Sequence, residues 1–420
     1  MSSSQSSKLT RNILIGMLSG LVLGGILNSV GPITWINTYF LGGLIEVGSR
    51  VFLASLKVLV VPLVFVSIVC GTASLDDIKK LGRIGTKTMG LYMATTALAI
   101  ALAIIVALII SPGAGFNMEL SQASFSAAAT PPLIDVISNI FPSNPFESMV
   151  KAEMLQIIVF GALFGIALTM TGDSGKKIAG IFNDLNNVIL KMVLLLINFA
   201  PFGVFCLLTK TFATQGFAAI LPLAKYFFVV LGVLILHGVF VYGGLFKIFT
   251  GLSPVTFFRQ FKRVPIFAFS TASSNATLPV NLEVVEDDLG VSNSIASFTI
   301  PLGATINMDG TAIMQGVATV FVAQVYGVDL GITDYLMVIL TATLASIGTA
   351  GVPGVGLVML AMVFRQVNLP VEGIGLIIGV DRLLDMVRTA VNVTGDAVVS
   401  CIVAKSEGQM DLKKFHHIQD

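Results

Sequence analysis

Charge is the scarcest commodity in this 420-residue chain: only 11% of its residues are Asp, Glu, Lys or Arg, while 55% are hydrophobic. Soluble domains carry about 25% charged residues, so the shortage excludes water as the main solvent and points to lipid. The formal net charge is +1, and no basic face is present to neutralise phosphates, which excludes a nucleic-acid partner. The three cysteines, Cys70, Cys206 and Cys401, lie far apart in apolar runs. They form neither a disulfide framework nor a metal spacing and read as packing residues. No G-x-S-x-G or H-E-x-x-H occurs, and His237 has no Ser or Asp partner in sequence, which argues against an intramembrane hydrolase and for a core histidine over a proton relay.

What the chain has instead is apolar length. Stretches long enough to span a bilayer, about 20 residues each, recur near 12–30, 42–72, 88–111, 153–171, 185–212, 222–247, 292–325 and 372–404. The polar N-terminus runs directly into the first of them, with no cleavage site before a soluble domain. Lys8 and Arg11 precede span one. Lys79, Lys80, Arg83 and Lys87 follow span two, Lys176 and Lys177 follow span four, and Arg259, Lys262 and Arg263 follow span six. The segment from Ser111 to Met154 holds one Lys151 against Glu119, Asp135, Glu147 and Glu153. The positive-inside rule therefore puts both termini in the cytoplasm and that segment outside. Glu46, Arg50 and Lys57 of span two read as interfacial or pair-forming charges.

Two stretches do not read as simple spans. Residues 264–284 place a hydroxyl-rich centre between short apolar arms, and 336–364 place ASIGTAGVPGVG between longer ones. Such centres are costly in lipid unless their polar groups find partners. Both are expected to be re-entrant helical hairpins, ended or kinked at Pro279 and Pro353. Each hairpin is followed by a span, with the two units in opposite orientations, which predicts an inverted repeat with its site at the midplane. The fold class is thus an all-α polytopic membrane protein of eight transmembrane helices plus two re-entrant hairpins.

The last span carries Asp385, Arg388, Thr389, Asn392 and Asp396 at i, i+3, i+4, i+7 and i+11, all within an arc of roughly 100°. Charges inside a span face a cavity or a partner. Arg388 offers a planar fork to a carboxylate, and Asp385, one turn away, offers an anion to an ammonium. A structural Asp385–Arg388 pair is the plainer alternative, but five polar groups on one stripe exceed what helix packing requires. In span seven, PLGATINMDGTA (Pro301 to Ala312) combines two glycines, a proline and an asparagine, a weak helix interior that is expected to unwind. Freed carbonyls with Asn307 and Asp309 oxygens suit a hard cation. Tyr92, Thr95 and Thr96 present three hydroxyls on one turn of span three, a weak signal alone.

Taken together, NMDGT (Asn307 to Thr311), SIGTAGVPG (Ser346 to Gly354), SSNATLP (Ser273 to Pro279) and DMVRTAVNVTGD (Asp385 to Asp396) resemble the glutamate/aspartate transporter family, the dicarboxylate/amino-acid:cation symporters, over nearly the whole chain. The resemblance implies a homotrimer of the bacterial inner membrane whose transport domain slides like an elevator past a scaffold. Scaffold helices one and two fall in 1–87, transport helix three in 88–111 and an extracellular loop in 112–152. Scaffold helices four and five fall in 153–213 and the transport core in 214–420. It also implies roles. Arg388 takes the substrate's side-chain carboxylate and Asp385 its amino group, with Thr389, Asn392 and Thr311 on the remaining polar atoms. Ser273 and Ser274 of the first hairpin tip, and backbone of the second between Val352 and Gly356, close over it.

Sodium, as a co-transported ligand rather than a cofactor, is implied at three places. One uses Gly303, Asn307, Asn392 and Asp396; a second Thr305, Ser346, Ile347 and Thr349; a third Tyr92, Thr95, Thr96, Asn307 and Asp309. Archaeal members carry an arginine where this chain has Ala272, and animal members one where it has Met386. Arg382, one turn before Met386, is expected to reach that region. The function so implied is sodium-coupled uptake of L-aspartate or L-glutamate, with proton coupling or a C4-dicarboxylate as the alternative. A channel is disfavoured because paired opposite charges suit binding and occlusion better than throughput.

Overall fold

Hydrophobic side chains cover the outside of this protein as well as its core. The computed structural model describes residues 3–31, 33–73, 82–115, 141–151, 153–216, 220–347, 351 and 354–416. Helix α1 (Ser3–Val30) turns Ile15, Leu18, Val22, Ile26 and Val30 outward, each more than half exposed. Its opposite stripe is Gly16, Gly20 and Gly24, laid against the carbonyls of Pro201, Phe205 and Thr209 of α7 (Ala200–Gln215). A Cβ at Gly20 would stand 2.7 Å from Phe205 O, and one at Gly24 2.6 Å from Thr209 O. Small residues let two backbones approach where lipid supplies no hydrophobic drive of its own. An apolar outer stripe with a backbone-to-backbone inner one is what a membrane helix requires.

A π-helical turn, Ile36–Ile45, leads into α2 (Glu46–Ala73). Helix α3 is Arg83–Ile110, and α4 (Pro145–Lys151) precedes α5 (Met154–Met170) and α6 (Asp173–Ile197). Helix α2 packs on α5, α6 and α7, with Phe65, Phe160, Phe164 and Phe182 clustered at ring separations of 5.4–6.4 Å. Glu46 is held by Arg50 at 2.6 Å and by Lys210 of α7 at 2.5 Å; the Lys57 side chain lies outside the described groups. The expected fifth span, 185–212, is corrected to two helices. Pro201 has no N–H for the helical ladder, so α6 ends at Ile197, Asn198 and Phe199 turn, and α7 begins with Pro201 in its first turn.

The second set of helices encloses the polar residues. Helix α8 (Ile220–Ile235) passes through a π-helical turn, Leu236–Val241, into α9 (Tyr242–Thr250) and then α10 (Pro254–Phe261). The first hairpin is α11 (Arg263–Thr271) and α12 (Ser274–Asp287), packed on one another. At its Ser-rich centre only Ala272, at φ +49°, and Ser273 separate the arms. Ser273 caps α12, its hydroxyl accepting from Ala276 N, which is the end that serine favours. Pro279 sits inside α12 without ending it.

Helices α13 (Asn293–Ile306) and α14 (Asp309–Tyr326) are one span broken at Asn307 and Met308. The second hairpin is α15 (Ile332–Ser346) and α16 (Val355–Gln366). Helix α17 (Ile374–Ser406) then runs through the middle, packed on α11, α13, α14 and α9. The two sets meet where α16 lies on α2 and α17 on α7. A last helix, α18 (Leu412–His416), folds back: Phe415 is buried against Phe246 and Gln260 donates to its carbonyl at 2.7 Å. The same tail bridges Met410 to Val291 and hydrogen-bonds Asp411 N to Gly290 O at 2.7 Å.

Four helical stretches, Arg11–Val30, Arg83–Ile110, Asp173–Leu196 and Leu221–Thr250, are each long and apolar enough to cross a membrane. At the polar end of α17, Lys87 reaches Glu407 at 2.5 Å and Arg83 takes its other oxygen.

Candidate functional site

One turn after another, α17 stacks its charges into a ladder inside the protein. Arg388, fully buried, donates from Nη1 to Asp381 Oδ1 at 2.6 Å and from Nη2 to Asp385 Oδ1 at 2.8 Å. Arg382 Nη1 reaches the other Asp385 oxygen at 3.3 Å. Each of the four residues is less than a tenth exposed. A buried ion costs several kcal/mol unless paired and hydrogen-bonded, which is why two carboxylates accompany two guanidinium groups. Arg388 still has an unused donor, its buried Nε. Gly356 lies against that guanidinium and Gly310 against the Arg388 backbone. A Cβ at Gly356 would stand 3.4 Å from Nη2 and 3.3 Å from Thr311, and one at Gly310 would strike Arg388 O at 2.5 Å. Thr389 turns its hydroxyl back onto Asp385 O at 2.8 Å.

Asn392 is engaged in holding the broken span. Its Oδ1 accepts from Gly310 N at 2.7 Å and its Nδ2 faces Met308 sulfur at 3.4 Å. The break is framed by two further buried acids. Asp309 accepts from Thr96 at 2.6 Å and Tyr242 at 2.8 Å, and His237 Nε2 lies 3.2 Å away. Asp396 accepts from Asn307 Nδ2 at 2.9 Å, while its Oδ2 is buried without a hydrogen-bond partner. Gly303 lies directly beneath Asp396, where a Cβ would meet the carboxylate and, at 2.7 Å, the Tyr92 hydroxyl. Tyr92 donates to Thr299 O at 2.9 Å, and Thr95 stands 3.5 Å from Asn307 Oδ1. Tyr92, Thr95, Thr96, Gly303, Asn307, Asp309, Asn392 and Asp396 are therefore brought together. A buried carboxylate oxygen with no donor fits a hard cation such as sodium.

The hairpin tips meet each other at Gly351. Ser273 donates to its carbonyl at 2.7 Å, Asn275 N to the same oxygen at 3.3 Å, and a Cβ there would stand 2.9 Å from Ser274 and 3.0 Å from Ala304 O. Thr305 and Ser346 turn their hydroxyls back onto Leu302 O and Thr343 O. Ile347 ends α15 in extended backbone. Thr349 and Val352 lie outside the described residues.

Sequence reasoning missed three participants. Asp381 stands one turn before Asp385 and anchors Arg388; its position at i−7 from Arg388 on the same helix face is a signal that could have found it. His237 is not lone: it contacts Asp309 and packs edge-on to Tyr242 at 4.6 Å. Neither His237 nor Tyr242 is marked in sequence, because the π-helical turn that redirects their helix leaves no residue pattern.

Helices long and apolar enough to cross a membrane thus surround oppositely charged groups sealed inside the protein. The chain belongs to the sodium:dicarboxylate symporter family, whose model matches residues 9–406. It is 36% identical over 410 residues to the proton/sodium-glutamate symport protein of Geobacillus stearothermophilus, covering 96% of this chain and 95% of that one. It is likewise 36% identical to the proton/glutamate-aspartate symporter of Escherichia coli K12, with 96% and 93% covered. To the C4-dicarboxylate transport protein of Rhodospirillum rubrum it is 32% identical, with 95% and 88% covered.

Proposed function

We propose that the chain is a secondary active symporter that brings L-aspartate or L-glutamate into the cell together with sodium ions. The observation that carries this reading is Arg388, sealed from water, paired to Asp381 and Asp385 and still offering an unpaired Nε, with Gly356 against its Nη2. The substrate's side-chain carboxylate takes the Arg388 fork and its ammonium takes Asp385. Thr311, Thr389 and Asn392 serve the remaining polar atoms. Ser273 and Ser274 of the first hairpin tip, which meets Gly351, and the second hairpin's backbone between Val352 and Gly356 serve as the lids.

Sodium is held by Asp396, Asn307, Asn392 and Gly303 at one site, and by Asp309, Asn307, Tyr92, Thr95 and Thr96 at another. A third uses Thr305, Ser346, Ile347 and Thr349. The second helix set, with α3, slides as a transport body along α1, α2, α5, α6 and α7 in a homotrimer of a bacterial inner membrane, with eight spans, two re-entrant hairpins and cytoplasmic termini. A transporter needs its ion and substrate sites coupled, and in this assignment Asn392 serves both.

Proton coupling is a second reading, favoured by His237 lying 3.2 Å from Asp309 and by the names of the relatives. Uptake of labelled L-aspartate into proteoliposomes under an inward sodium gradient, and then under a proton gradient alone, separates the two. Uptake with sodium only is the expected result; uptake driven by protons alone removes the sodium assignment.

A further inference from the structure

Asp385 is compensated twice. Arg388 holds one of its oxygens at 2.8 Å and Arg382 the other at 3.3 Å, and the ladder Asp381–Arg388–Asp385–Arg382 has no net formal charge. Resting on the reading above, in which Arg388 clamps the substrate carboxylate, an incoming ammonium can reach Asp385 only by displacing a cation already there. Arg388 is required by the carboxylate and remains anchored on Asp381, so Arg382 is the one to give way. A ligand without an ammonium displaces nothing: Arg382 stays, and Asp385 remains compensated. Burying an anion without a counter-charge is strongly unfavourable, so this second arrangement is needed if a plain dicarboxylate is to fit.

We infer that Arg382 is a specificity-determining residue, a tethered cation standing on Asp385 in place of the substrate ammonium, so that one site accepts both acidic amino acids and plain C4-dicarboxylates. Arg382, Asp385 and Arg388 are three residues apart along α17, so they share a face. The exchange moves the Arg382 side chain off Asp385, a rotation its long stem allows.

The test is competition by unlabelled succinate and unlabelled L-aspartate against labelled L-aspartate, using the full chain in proteoliposomes. Wild type is expected to bind both. Arg382→Met is expected to weaken succinate by at least about tenfold relative to aspartate, because Asp385 loses a charged partner that only the ammonium can replace. Arg382→Lys keeps the wild-type preference, and adding Asp385→Asn to Arg382→Met restores succinate by restoring charge balance. An unchanged succinate-to-aspartate ratio in Arg382→Met overturns the inference, as does a wild type that binds aspartate but not succinate. A wild type that binds neither overturns the proposed function instead. Where Arg382→Met does not assemble, Asp385→Asn alone decides: succinate binding persists while the preference for aspartate disappears, and loss of succinate refutes the inference.

Discussion

Asp381 is the residue on which the substrate site is hung, and Asp381→Asn tests that directly. The pair it makes with Arg388 is short, 2.6 Å, and its two side chains are 5% and 0% exposed. Removing one partner of a buried pair costs about 3–5 kcal/mol. Asparagine keeps a neutral acceptor worth about 1 kcal/mol, which brings the expected loss of stability to about 2–4 kcal/mol. The guanidinium left behind turns fully onto Asp385, so substrate must then compete with that carboxylate for the whole fork. A penalty of about 1.4 kcal/mol in that competition is a tenfold rise in KM. The assays are thermal unfolding of the purified protein and concentration-dependent uptake into proteoliposomes. A raised KM with the maximal rate retained marks a positioning role, whereas lost uptake without a change in KM marks a folding one. An unchanged KM together with an unchanged unfolding midpoint would refute the reasoning.

The seam between α1 and α7 tolerates no side chain: Gly20→Leu should separate the helices and cost about 1–3 kcal/mol by overpacking, read as a lowered unfolding temperature, while the outward Leu18→Ala on the same helix should change little. Glu407 is held below the ordinary glutamate range by hydrogen bonds from Arg83 first and then Lys87. A depressed folded-state carboxylate stabilises above its unfolded pKa and loses that stabilisation as pH falls through the folded value. The difference in unfolding temperature between wild type and Glu407→Gln should therefore be level from neutral pH down to the ordinary glutamate range and close only below it.

Much of this site is written in α17 because helical spacing is arithmetic: Asp385, Arg388, Asn392 and Asp396 share a face whatever surrounds them. The break at Asn307 and Met308 was readable for a similar reason, since Gly303, Asn307 and Gly310 weaken a helix wherever they stand. Contacts across the fold were not. Nothing local says that Thr96, Tyr242 and His237 converge on Asp309, since they lie 213, 67 and 72 residues from it along the chain. The first hairpin's two arms were legible from its composition, but where they part was not: one serine caps a helix and the next begins it. Pro201 was overlooked in span five because the apolar run continues through it, although a missing N–H breaks the ladder regardless of hydropathy.

The returning C-terminus has a consequence in time rather than in space. Chains emerge from the ribosome N-terminal end first, at about 5–20 residues per second, and Met410, Asp411 and Phe415 appear after α17. Until they do, Gly290 and Val291 lack their backbone partners and the Phe246–Phe257 pair is uncovered on the side Phe415 fills. The body holding the charged ladder therefore stays unlatched while its helices are being inserted. It closes only after α17 has emerged, by which time every group in the ladder has been made.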